Sequence, residues 1–172
     1  MFVEKGVELL KSSDTEDIEC PDNMVKIDNF CMDIYEYPND IGYYPLVNKT
    51  WFQAQADCGR RGKRLCTSSE WEKACRGIEK FRYPYGNNYQ SNRCRTEAKE
   101  VAMVATHRNC VSSYGVYDMV GNVWEWTTSD NGTAVSRVYG GHWTFGEAAK
   151  CSIYSTITKN HSSDNIGFRC CK

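Results

Sequence analysis

The chain has 172 residues, enough for one domain with a sizeable core and too few for two of ordinary size. Its 21 basic and 22 acidic residues leave a formal net charge of -1, which excludes the electrostatic footprint of a nucleic-acid or anionic-membrane binder. Mean hydropathy is -0.62 and no long apolar run occurs, so no transmembrane helix is expected in the chain as given.

Residues 1–17 are polar and acidic and read as a lead-in or tether without chemistry; residues 18–172 read as a single domain. β-favouring pieces follow at 24–27 and 30–35. Thr50 with Gln53, and Thr67 with Glu70, each fit the capping box, in which side chain and backbone satisfy one another at a helix start. The first box predicts a helix over 51–58 stopping at Gly59, the second a helix over 68–76 ending at Gly77. In the second helix Trp71, Ala74 and Cys75 share one face. Two further β-favouring pieces lie at 137–143 and 166–170, and between them 139–164 sustains neither helical nor strand periodicity. Short strands, two short helices and much irregular loop indicate an α+β fold, with no repeat of 20 to 50 residues.

Ten cysteines in a chain this short point to an oxidising compartment. No pair is separated by two residues, and His107, His142 and His161 do not fall at zinc-ligand spacing, so a disulfide framework is the stronger reading. Neighbours on a strand point to opposite faces, so Cys170 and Cys171 should reach different partners. Export is therefore expected, yet residues 1–11 lack the basic and continuous apolar regions of a secretory signal; a leader and any lipid anchor are expected to lie outside this chain.

Several strings in sequence order resemble the formylglycine-generating-enzyme (sulfatase-modifying factor) domains, a branch of the C-type lectin fold. They include the stretch from Phe30-Cys31-Met32-Asp33 through Glu36-Tyr37-Pro38-Asn39, Gly62-Lys63-Arg64-Leu65-Cys66-Thr67, Tyr83-Pro84-Tyr85-Gly86-Asn87, Gly121-Asn122-Val123-Trp124-Glu125-Trp126, Gly140-Gly141-His142-Trp143 and Gly167-Phe168-Arg169-Cys170. Together they cover about residues 20–172. The resemblance implies that fold, with short antiparallel strands around the two helices.

The resemblance fails where that enzyme does its chemistry. Family members that generate formylglycine carry two cysteines with four residues between them, shortly after a Gly-Gly-Ser, and use both thiols for copper-dependent oxygen activation. Here Phe145 stands where the first thiol would be, and only Cys151 follows. A thiolate is the required ligand and nucleophile, so no catalytic residue is expected. Iron-dependent relatives of the fold need converging histidines, and His107, His142 and His161 are widely spread. A Ser-His-Asp site has no spaced motif behind it. The resemblance also implies a structural calcium held by the side chains of Asp118 and Glu125 and the carbonyls of Gly121 and Val123. Its alternative is that these carboxylates hydrogen-bond the loop around Trp124 and Trp126. By resemblance Cys58 pairs with Cys170 and Cys75 with Cys151. Pairing Cys66 with Cys171, Cys94 with Cys110 and Cys20 with Cys31 rests on elimination, and other pairings of those six stay open.

The 139–164 segment mixes rigid aromatic contact area with adaptable hydrogen-bonding residues, as paratopes do. It resembles the variable proteins of diversity-generating retroelements, of the Treponema variable protein type, which mutate adenines in codons near the 3′ end of the gene. The candidate binding residues are Tyr139, His142, Thr144, Phe145, Gly146, Ser152, Tyr154, Ser155, Thr156, Thr158, His161, Ser162 and Asp164, with Trp143 expected as framework. The expectation is a non-catalytic, surface-displayed bacterial lipoprotein that needs no cofactor. Its partner is expected to be a protein, with carbohydrate open, and it would meet the membrane only through an anchor. The competing expectation is a metal- and oxygen-dependent enzyme of the formylglycine-generating type.

Overall fold

The computed structural model describes residues 18–129 and 132–172; the lead-in assigned to residues 1–17 lies outside the described residues. The first strands, β1 (Met24–Ile27) and β2 (Phe30–Asp33), form a hairpin with Ile27 opposite Phe30. β2 is two residues shorter than expected, because the Tyr35 amide turns away to the Asn39 side chain (2.9 Å). Two helices follow, α1 (Trp51–Gly59) and α2 (Ser68–Arg76), separated by β3 (Arg64–Leu65). Both capping boxes are formed, and α2 ends at Gly77 with φ +68°.

The remaining strands are β4 (Trp124–Trp126), β5 (Val135–Tyr139), β6 (Tyr154–Thr158), β7 (Ile166–Phe168) and β8 (Cys170–Cys171), with a 3-10 turn over Gly146–Ala148. Three expectations are corrected here. The strand over 137–143 ends at Tyr139, since Gly140 and Gly141 follow with φ +91° and +77°. A Cβ on Gly140 would lie 2.6 Å from the Met119 carbonyl oxygen, so the turn needs glycine. The piece 166–170 is two strands in different sheets, β7 and β8, with Arg169 between them. The segment without evident periodicity contains the whole of β6.

The strands form two four-stranded sheets, ordered β1-β2-β8-β3 and β6-β5-β4-β7. Among the described residues β4–β7 is the one parallel pair of strands, with an isolated parallel bridge between Thr67 and Thr128. One core gathers Ile27, Met32, Trp71, Val120 and Tyr139; a second gathers Trp51, Leu65, Trp124, Trp126, Val138 and Phe168. The half-buried ring of Phe145 packs against both.

Five disulfides lock these layers: Cys20–Cys31, Cys58–Cys170, Cys66–Cys171, Cys75–Cys151 and Cys94–Cys110. The adjacent Cys170 and Cys171 tie β8 to α1 on one side and to the start of the α2 segment on the other. Such a framework fits a domain exported to an oxidising compartment. Among the described residues no helix is long and apolar enough to cross a membrane.

Candidate ligand-binding face

The Gly121–Trp126 string builds the floor. Asn122 sits at φ +54°, a conformation asparagine tolerates better than most residues. Its amide donates to both oxygens of Glu36 (3.0 and 3.1 Å), and its carbonyl oxygen accepts from the Ala102 amide (2.9 Å). Trp124 turns into the second core, and the Trp126 indole donates to the Lys49 carbonyl at 3.0 Å. Main-chain bonds from Trp143 to the Asn122 carbonyl (3.1 Å) and from Gly146 to the Thr96 carbonyl (2.8 Å) then hang the 142–146 loop over this floor.

Beneath the floor lies a buried charge cluster. Glu125, with no exposed surface, accepts two hydrogen bonds from Arg169 (2.6 and 2.7 Å) and one from the Trp71 indole (2.7 Å). Asp118, 3 % exposed, accepts from the Ala105 amide at 2.6 Å. Burial, opposed by that bond and by Arg169 and reinforced by Glu125, pushes the Asp118 carboxyl up to about 7. Glu36 is raised well above the usual carboxylate range by burial and by the charges of Asp118 and Glu125.

The four-residue calcium set does not fit at Glu125, whose two oxygens are already held by the guanidinium and the indole. Among the described residues no group of three or more His, Cys, Asp or Glu side chains is placed to hold a metal ion.

Above the floor the candidate residues separate into groups. Tyr139 is corrected: it is 2 % exposed, packs on the Trp71 ring at 5.1 Å and belongs to the core. Trp143 is also corrected; it is half-buried and lies outside both core clusters. His142, Phe145 and Gly146 are half-buried, whereas Thr144, Ser152, Tyr154, Ser155, Thr156, Thr158, His161, Ser162 and Asp164 are exposed. His142 has its Nδ1 buried without a hydrogen-bond partner, and burial lowers its pKa against the pull of Asp164.

Strand geometry explains the grouping. Tyr154, Thr156 and Thr158 lie on one side of β6, where the Tyr154 ring packs tilted against Tyr139 (5.5 Å) and carries the Arg137 guanidinium over its face (4.4 Å). Ser155 and Ile157 lie on the other side. There Trp124, Phe145, Ile153, Ile157 and Ile166 floor a groove of about 480 Å³, rimmed by Tyr154, Ser155, His161, Ser163 and Asn165. Sequence reasoning named Phe145, Tyr154, Ser155 and His161 but missed the apolar floor. Ile153 and Ile157, which fall on one side of a strand, were the available signal. A hollow of about 530 Å³ beside the end of α2 involves none of the candidate residues, and its Lys73–Asp28 and Arg76–Glu72 ion pairs are already satisfied.

The family model for sulfatase-modifying factor enzyme 1-like domains matches residues 39–172. The chain belongs to that family. It is 36% identical over 149 residues to the inactive C-alpha-formylglycine-generating enzyme 2 of Bos taurus, covering 74% of this chain and 50% of the relative. It is 30% identical over 165 residues to the formylglycine-generating enzyme of Mus musculus, covering 74% and 44%. The chain thus spans about half the length of the curated relatives it matches, one named inactive and one named for its activity. Among solved structures it resembles Treponema denticola variable protein 1, with a TM-score of 0.69 at 17% identity over 83% of this chain and 84% of that one. The fold is the C-type lectin type, α+β with two short helices.

Proposed function

We propose that this family member is a non-catalytic, surface-displayed binding protein whose face, around β6 and the 142–146 and 161–165 loops, varies between copies and engages a protein ligand. One observation carries the reading. The exposed candidate residues sit on β6 and loops outside both cores, where exchange costs little, while the strings around them are buried and bridged. The same fold is displayed by a protein named as variable. The enzyme reading has less support, because all ten cysteines are held in the five bridges, leaving no thiol for oxygen activation.

The test is to sequence the 3′ end of the gene across many cells of one source population. Substitutions concentrated in codons 142–164 that spare Cys151 and codons 166–171 are expected. Rare, evenly spread changes would overturn the diversified reading. Stoichiometric copper or iron with oxygen consumption would overturn the non-catalytic one. No cofactor is required. No structural calcium is proposed, because both oxygens of Glu125 are already held by Arg169 and the Trp71 indole.

A further inference from the structure

β6 is the outer strand of its sheet, and its main-chain groups divide by direction. The Gly140 amide donates to the Ile153 carbonyl (3.2 Å) and the Lys159 amide to the Ala134 carbonyl (2.9 Å), which sets the phase of the β5–β6 ladder. Hydrogen-bonded and non-bonded pairs alternate along an antiparallel ladder. Ser155 and Ile157 therefore turn their amides and carbonyls toward β5, whereas Tyr154, Thr156 and Thr158 turn theirs to the outer edge. Among the described residues the one partner found there is the His161 amide, which donates to the Thr158 carbonyl at 2.9 Å. Three amides and two carbonyls remain, repeating every ~6.8 Å along the strand.

The other outer strands are guarded. The Tyr37 amide donates to the Phe168 carbonyl at 2.8 Å, and the Tyr37 ring stacks on Phe168, closing β7. β1 carries Lys26, and β3 is two residues long and carries Arg64. β6 reads Tyr-Ser-Thr-Ile-Thr, with no charge and no proline, the devices that usually blunt an edge. The groove with its apolar floor runs along one side of this strand.

Resting on the binding-protein reading above, we infer that the β6 edge is the docking strand for an extended segment of a partner protein, which adds to the sheet. Its main chain pairs with Tyr154, Thr156 and Thr158 while alternate side chains drop into the groove floored by Phe145 and Ile157. A row of amides and carbonyls at peptide spacing is complementary to a polypeptide; a saccharide offers no such repeat. Affinity comes from the main chain, so the partner can be retained while side chains of the face change.

The experiment pans a displayed library of random linear nonapeptides against the full chain and synthesises an enriched peptide in three forms: unmodified, N-methylated on odd positions and N-methylated on even positions. Amide exchange is read by NMR. The expected result is at least tenfold slower exchange at Tyr154, Thr156 and Thr158, with one methylation phase weakening binding at least tenfold and the other little. Thr156→Pro removes an outward amide without touching the β5 ladder and should weaken binding at least tenfold at unchanged melting temperature. If that variant unfolds, the methylated peptides still decide. Peptides that bind without protecting these amides, or without dependence on methylation phase, would overturn the edge pairing while leaving the binding reading intact. Failure to enrich any peptide also overturns the edge pairing, and the gene-variation test judges the broader reading separately.

Discussion

Arg169 is a fully buried guanidinium shared among Glu125, the Tyr117 carbonyl (2.9 Å) and, through charge, Glu36 and Asp118. Removing one partner of a buried pair strands the other, so Arg169→Leu should cost about 3–5 kcal/mol by denaturant unfolding, and a cost below about 1 would contradict this account. Asp118 makes a second prediction. Its folded pKa of about 7 lies above the ordinary value, so its contribution to stability is fully present at acid pH below the unfolded pKa and is lost as pH rises through about 7. The stability difference between wild type and Asp118→Asn should shift by about 2.6 kcal/mol against the wild type from pH 5 to pH 8. Asparagine tolerates the φ of +56° at this position and can still accept from Ala105, so the comparison isolates the charge. This network was only half legible in sequence. The strings containing Glu36, Asp118, Glu125 and Arg169 stood out, but residues 36 and 169 meet only through the tertiary fold.

Among the elements, the helices were legible because their signals are local: each box needs only a threonine and the residue three places on. Thr67→Ala should cost about 1 kcal/mol by thermal or denaturant unfolding, since it removes the hydroxyl that accepts from the Glu70 amide while the backbone bond to the Glu70 carboxylate stays. β6 was missed for a physical reason. Four of its five residues are exposed and Ile157 is the one aliphatic residue within it, so burial imposed no sustained polar-apolar alternation, only the isolated pair Ile153 and Ile157. Its neighbour β5 gives the contrast. Tyr139→Ala should cost about 3–5 kcal/mol by removing a buried ring, whereas Thr158→Ala, on the exposed strand paired with it, should stay within about 0.5. Denaturant midpoints for the two variants check the division between framework and face, and near-equal costs would erase it.

At the scale of the whole molecule, stability should track how much chain each bridge encloses. Cys94–Cys110 spans 16 residues and Cys66–Cys171 spans 105. Replacing each pair by serines should cost about 3 kcal/mol for the first and about 4.7 for the second if loop closure dominates. Equal losses in denaturant unfolding would instead point to strain or contacts specific to each site. The α+β class was legible from composition and caps, and the excess of cysteine announced a stapled framework. The splitting of 166–170 between two sheets was not, because a run of β-favouring residues carries no mark of where one sheet ends.

That split has a further consequence. β7, Arg169 and β8 all follow the candidate face in sequence, and they supply an edge of one sheet, an inner strand of the other, the buried cation and two bridge halves. A frameshift or premature stop anywhere between codons 142 and 164 would erase all of them together. Folding therefore checks the reading frame: only a chain translated intact through that stretch can complete both sheets and close the bridges of Cys170 and Cys171.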